Sequence, residues 1–485
     1  MAVQVARLSL RLFPDPTRVI TRLFCPADPD RVRGLVRRVL AIPEEESERL
    51  LEGLRRDFRI QHPNLLDLFE EHYREVRRLV PDDLPDPCGV HRSLIGAYFT
   101  MEYALESVAL FNPSIVPGMD QSGVPPGGVR FLISLRAVGE GHVSSIVFRR
   151  GLIGPGGQVD IDPVPSVSRP LKAIEPTKLL KVDFRRELQA LGAEHGDVDA
   201  VFDSLGERFT TDDLSRAIAA TREHLAPTGL FERSCEALLT LAHSSYDLLL
   251  PEDLLESEIV IFPQADHEWH GIEDLRLVRF LDDDGTTRYY GTYTAYDGNR
   301  VYPQLMEYRG ARIVRITMIK GRCARNKGMA LFPRKIRGHY AMVSRLDNEN
   351  LFYMESDDVR YWDDARPLQV PTFPWDLVQI GNCGSPIETE AGWLLLTHGV
   401  GPMRRYSIGA SLLDLDDPSR VIGQTPEPLL VPSVDERAGY VPNVVYSCGG
   451  MIHAGRLILP YALNDSSTAF ATIELDELLA SLHRP

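Results

Sequence analysis

Gly271-Ile-Glu-Asp-Leu-Arg276 sets two adjacent carboxylates beside an arginine, after a polar loop and before the expected strand Leu277–Leu281. Side chains alternate faces along an extended strand, so Glu273 and Asp274 are expected to point apart, one toward a site and one into a structural contact. A carboxylic acid in a partly desolvated pocket resists ionisation and can protonate a leaving group. The bland alternative is a surface turn with a local ion pair. A second constellation is basic: Arg325, Lys327, Lys335 and Arg345 lie within Arg325-Asn-Lys-Gly328, Phe332-Pro-Arg-Lys-Ile336 and the end of the next strand. If they converge from adjacent strand ends they fit an anion such as phosphate; otherwise they are charges on a solvated strand edge. The third is the glycine-rich turn that runs from Gln379 to Thr389, followed by the strand Gly392–Thr397 and His398-Gly-Val-Gly401. Glycines there let a ligand approach the backbone, and His398 is expected to be exposed enough to bind an anion, with a structural histidine as the alternative.

These residues sit in a chain of 485, 44% hydrophobic, 25% charged and 8% aromatic, with a net charge of −16. That composition is ordinary for globular proteins and excludes disordered and collagen-like scaffolds. The negative charge argues against nucleic acid and against an anionic membrane surface. No apolar run reaches the roughly 18 residues of a membrane helix. The first residues lack the apolar segment and small-residue cleavage site of a secretory signal. The expectation is a soluble, cytoplasmic protein. Cys25, Cys88, Cys235, Cys323, Cys383 and Cys448 show no CxxC spacing. Reduced cysteines and no metal site are therefore expected, with no cofactor.

Three textures alternate along the chain. Residues 1–107 read mostly as helix: Pro43–Phe58 and Asn64–Leu79 have apolar residues at helical spacing. Asp15 and Asp28 each precede a proline, an arrangement suited to a helix start. Residues 108–182 turn strand-like, with Val129–Val138 and Ser144–Phe148. Helical periodicity returns in 183–256, over Arg185–Leu191, Asp212–Leu225 and Glu232–Leu248, and reads as an insertion. From 257 to 485 short strands recur, among them Tyr289–Ala295, His339–Ser344, Gly392–Thr397, Ser407–Asp414 and Leu457–Tyr461. The pattern is mainly β, a sandwich or a propeller. About 280 strand-rich residues are too many for one sandwich and suit five four-stranded blades.

Several ordered motifs resemble glycoside hydrolase family 130, the β-mannoside phosphorylases and related β-mannosidases. They are Arg136-Ala-Val-Gly-Glu140, Gly271–Arg276 with Tyr293-Thr-Ala-Tyr-Asp-Gly298, Leu331–Gly338 through Arg345, Ile387–Val400, Val441–Val445 and Ala471–Leu479. The resemblance covers roughly 108–180 and 257–480, and leaves the N-terminal helices and the insertion outside. It implies a five-bladed β-propeller and an inverting reaction with Asp274 as proton donor. It also places a phosphate site on Lys327, Arg345, Gln379 and His398, with Arg325 near them. Lys327 and Gln379 stand where family phosphorylases carry arginine and lysine. Arg136 and Asp465 match positions that hold mannose hydroxyls. Glu273 and Arg276 flank the acid, and Asp297, Asn112 and Tyr293 are further pocket candidates, with core packing the alternative for Tyr293.

The function this implies is phosphorolysis of a β-mannoside oligosaccharide or glycoconjugate to α-mannose 1-phosphate, with inorganic phosphate as co-substrate. The alternative is an inverting β-mannosidase acting on β-1,2-linked mannosides, which needs a base to activate water; Glu388 and Glu390 are the candidates. A third reading is a propeller that binds carbohydrate without catalysis. The helical segments are expected to set a homo-oligomer or the acceptor length.

Overall fold

The computed structural model describes residues 3–79, 87–165, 167–174, 179–190, 198–224, 228–252, 254–308, 310 and 312–484. Leu191 and Leu225, the expected ends of two helices, lie outside the described residues. The chain divides into two compact units: Met1–Pro14 with Val108–Val164 and Pro170–Pro485, and Asp15–Ser107 with Pro165–Arg169.

The larger unit is mainly β. Among the described residues it holds five sheets of four or more strands, built of antiparallel pairs such as Ile272–Leu281 with Thr287–Tyr296 and Gly392–Val400 with Tyr406–Leu413. Each begins with a buried strand: Ala109–Pro117, Ile272–Leu281, Lys327–Leu331, Gln379–Asn382 and Val445–Tyr446. The hydrophobic core runs between successive sheets. Ile272, Leu275, Leu277 and Tyr293 meet Val116, Ile146 and Ile261, and Phe332 and Tyr353 meet Trp393 and Leu413.

The expectation that the whole of 1–107 is helical fails at its start. Val5–Leu12 is a strand that pairs with Ser467–Glu474 and so completes the last sheet. Its sequence, VARLSLRL, exposes and half-buries residues in near alternation, the pattern of a strand with one wet face. Asp15 does not start a helix either. Its carboxylate accepts from the Thr17 N–H at 2.9 Å in a turn, because the β-branched run Val19–Leu23 pairs with Thr100–Ala104.

Among the described residues, the second unit is built on four helices, Pro29–Leu40, Glu44–Phe58, Leu65–Leu79 and Gly89–Tyr98. Asp28 caps the first by accepting from Asp30 N–H at 2.9 Å, with Pro29 at the first helical position. Val32, Val36, Phe69, Val76, Leu94 and Phe99 form its core.

Within 183–256 the described helices are packed on their own core of Phe184, Leu188, Phe202, Phe209, Ile218, Phe231 and Leu238. The last expected helix is shorter than its periodicity implied. It ends at His243, and Ser245–Leu249 becomes a strand between Ile313–Met318 and Ala173–Ile174. Sheet pairing captures that segment and buries Leu248 fully.

Candidate active site

The end strands of the five sheets each bring at least one polar side chain to a common place: Asn112, Asp274, Lys327, Gln379 and Tyr446 among them. Three of these strands carry the same irregularity. Pairing shifts between Phe111 and Ser114, between Glu273 and Arg276, and between Lys327 and Ala330. Asn112, Asp274 and Gly328 take φ values of 49°, 60° and 89° at these bulges. Asn and Asp tolerate the left-handed region better than other side chains, and glycine adopts it freely. A bulge turns two successive residues toward one side.

This overturns the expectation that Glu273 and Asp274 point apart. Both face Arg136: its Nη2 donates to Glu273 Oε1 at 2.7 Å, and its Nη1 lies 3.8 Å from Asp274 Oδ1. Lys327 Nζ donates to Glu273 Oε2 at 2.6 Å, so Glu273 is gripped from both sides. Asp274 accepts from Asn112 Nδ2 at 2.6 Å. Arg276 Nη1 donates to the Asp274 backbone carbonyl at 3.1 Å, and its Nη2 to the Tyr446 hydroxyl at 2.6 Å.

Burial pushes the Asp274 carboxyl up, but Arg136, Arg276, Lys327 and the Asn112 amide outweigh it and hold it below the usual carboxylate range. Asp465 behaves oppositely. Burial, and repulsion from Asp274 and Glu273, push it up to about 6, against the pull of Arg136 and Arg404. It too sits on left-handed backbone, at φ 53°.

On the other flank, Arg345 lies opposite Lys327 in the pairing register. Its Nη1 donates to His398 Nε2 at 3.3 Å. With its amide oriented to suit both neighbours, Gln379 accepts from the same nitrogen at 2.6 Å and donates to the Asn348 carbonyl at 3.3 Å. His398 is 1% exposed, not open to solvent as its sequence position implied. Burial lowers its pKa strongly, and Arg345 and Arg276 lower it further. The ring is neutral, with Nε2 as acceptor, packed edge-to-face on Tyr446 at 4.9 Å. It adds no positive charge to the cluster.

Several expected residues go elsewhere. Arg325 is exposed on the turn before Lys327. Lys335 binds Asp283 at 2.9 Å and Asp282 at 3.5 Å. Asp297 holds its own turn, accepting from the Asn299 and Arg300 N–H groups and the Tyr302 hydroxyl. Tyr293 points into the core, where its hydroxyl donates to buried Glu268 at 2.9 Å; on an alternating strand it faces away from the residues beside it. Glu388 is exposed and engaged by Arg334 at 2.7 Å, and Glu390 is exposed beyond it. Glu388 pairs with Trp393, five residues from His398 along one strand, or about 17 Å at the usual rise.

Two residues of the site escaped the sequence reading. Tyr446 directly follows the Val441–Val445 motif, which was the available signal. Arg404 follows His398 in a hairpin at φ 52° and acts on Asp465. Among the described residues, no group of three or more His, Cys, Asp or Glu side chains could hold a metal ion.

A family model described as β-1,4-mannooligosaccharide phosphorylase matches residues 247–484. A 1,2-β-oligomannan phosphorylase of Thermoanaerobacter sp. (strain X514) is 34% identical over 227 residues, covering 45% of this chain and 73% of the relative. The chain belongs to glycoside hydrolase family 130. A β-1,2-mannobiose phosphorylase of Listeria innocua serovar 6a is 30% identical over 239 residues, 47% of this chain and 64% of the relative. The solved structure of a β-1,2-mannobiose phosphorylase from Listeria innocua, in complex with β-1,2-mannobiose, is 20% identical at a TM-score of 0.45, over 78% of this chain and 93% of that one. The match to the family model covers four of the five end strands; the strand of Asn112 lies outside it.

Proposed function

We propose that this family member is a β-mannoside phosphorylase. It cleaves a β-mannoside with inorganic phosphate and inverts the anomeric centre, giving α-mannose 1-phosphate and a shortened acceptor. The observation that carries the reading is Asp274, buried in a pocket where fixed cations outnumber carboxylates. Arg136, Arg276, Lys327 and Arg345 face Glu273, Asp274 and Asp465, whose carboxyl is pushed up to about 6. Such an excess suits an anionic co-substrate.

Asp274 supplies the proton to the departing oxygen, and phosphate attacks the anomeric carbon from the opposite side. The cations that hold Asp274 ionised in the unliganded pocket are offset when phosphate arrives, and its carboxyl then rises toward the protonated form that the reaction needs. Arg345 and Lys327 bind the phosphate. Arg136 and Asp465 bind the mannose hydroxyls, whose loss in an analogue leaves a buried charge unpaired.

Hydrolysis needs a carboxylate positioned to activate water. Glu388 and Glu390 lie beside the end of the strand Gly392–Val400 that is far from His398, and the reading with phosphate as nucleophile needs neither. The five sheets are read as the blades of a propeller around this site, since the end strand of each contributes one of its polar groups. The test is product analysis on β-1,2-mannobiose and β-1,4-linked disaccharides, with and without phosphate. Mannose 1-phosphate that appears only with phosphate is expected. Free mannose released at the same rate without phosphate overturns the reading in favour of a β-mannosidase.

A further inference from the structure

Cys88 occupies the N-cap position of the ten-residue helix Gly89–Tyr98, and its side chain makes no capping bond. It is exposed, and its Sγ lies 3.0 Å from His91 Nδ1. Three residues along a helix is the spacing that brings two side chains together. The other ring nitrogen, Nε2, lies 2.8 Å from the Ile42 carbonyl oxygen and 3.5 Å from the Ser47 hydroxyl. A carbonyl only accepts, so Nε2 carries a hydrogen. In the neutral ring Nδ1 is then the bare nitrogen, and it is the one that faces the thiol.

A nucleophile, a base within hydrogen-bond reach and a group that orients the base are therefore assembled at one place. Transfer of the thiol proton to Nδ1 leaves both ring N–H groups satisfied, one by the thiolate and one by Ile42. The helix N-terminus adds partial positive charge beside the sulfur. The opposing group is Glu44, at the start of the helix Glu44–Phe58, 3.9 Å from Sγ. The hydrogen bond to His91 prevails and draws the Cys88 thiol below its ordinary value, while the same bond raises His91. The other cysteines differ. Cys235, Cys323, Cys383 and Cys448 are buried, and burial also raises the half-buried Cys25.

We propose that Cys88 and His91 form a thiol-modification site that reacts with small-molecule disulfides. The Cys88 thiolate attacks one sulfur of the disulfide. A bond forms from Cys88 Sγ to that sulfur as the reagent's own S–S bond breaks. The departing thiolate takes up the proton that Cys88 had passed to His91, so one mixed disulfide and one free thiol result. The released thiol in excess reverses the reaction.

The test uses the full chain and oxidised glutathione at pH 7, with the adduct located by peptide mass. Cys88 is expected to be modified before any other cysteine, and Cys88→Ser to abolish the fast adduct. With iodoacetamide as probe, His91→Gln is expected to slow alkylation of Cys88 at pH 7 by about tenfold or more, and the two chains to converge above roughly pH 9.5, where an isolated thiol ionises unaided. Equal rates at pH 7, or first modification at another cysteine, overturn the proposal. If circular dichroism shows that His91→Gln does not fold, the pH profile of the unaltered chain decides. Alkylation of Cys88 that follows one ionisation near the ordinary thiol value of about 8.5 overturns it, and a profile displaced to lower pH supports it.

Discussion

Arg276 and Tyr446 are joined by a 2.6 Å hydrogen bond between guanidinium and phenol, both buried, across 170 positions of sequence. The bond ties the strand that carries Asp274 to the strand that packs on His398. It thereby links the acid to the side of the pocket assigned to phosphate. Tyr446→Phe removes the acceptor and leaves a buried charged donor unpaired. The expected loss of stability is about 1–3 kcal/mol in urea unfolding, with a fall in kcat. Unchanged unfolding and unchanged kcat would show that this bond positions nothing.

Asp274→Asn keeps the shape and the Asn112 neighbour but cannot donate the proton. Turnover of an unactivated mannoside is expected to fall by about 10²–10⁴-fold with the fold intact by circular dichroism. A variant retaining more than about a tenth of the activity removes Asp274 from the acid role.

Gln379→Lys adds a positive charge to the proposed phosphate site. The new ammonium lands beside Arg345, whose Nη1 Gln379 now accepts at 2.6 Å. Without phosphate the two cations repel, so a lower Tm is expected. With phosphate both are neutralised, and affinity is expected to rise by an amount on the order of 1–3 kcal/mol, read from phosphate KM and from a larger phosphate-induced shift in Tm. A phosphate KM that stays the same or rises counts against Gln379 as part of the phosphate site.

Asp465 sets a stability trend with pH. Its carboxyl stands at about 6 in the folded chain, against roughly 3.9 when unfolded. Between these values the folded state binds more protons than the unfolded one, so this group lowers stability as pH rises from about 4 to about 6. At about 1.4 kcal/mol per pH unit the effect approaches about 3 kcal/mol above pH 6. Asp465→Asn is expected to flatten that part of the stability curve, to gain stability at pH 7, and to lose activity through the lost sugar contact. Parallel curves for the two chains over pH 4–6 would refute the raised carboxyl.

Much of the site was legible without coordinates. Two carboxylates and an arginine at Glu273, Asp274 and Arg276, basic residues at Lys327 and Arg345, and strand periodicity through 257–485 are local patterns, and local patterns survive in one dimension. The Asp28 cap is of the same kind, since a helix start involves only its first turn. Even the missed first strand, Val5–Leu12, carried its near-alternating pattern in the open.

Tertiary structure decided what each of these groups does. Asp274 joins Glu273 on one side because a bulge sets its φ to 60°, and its partner Asn112 is 162 positions away. His398 is neutral because neighbouring strands bury it against Tyr446 and Arg345. Tyr293 turns to Glu268, and Glu388 to Arg334, because strand register selects their faces and ends. A residue's type is a property of the chain, whereas its charge state and direction depend on desolvation and on partners that only folding brings near.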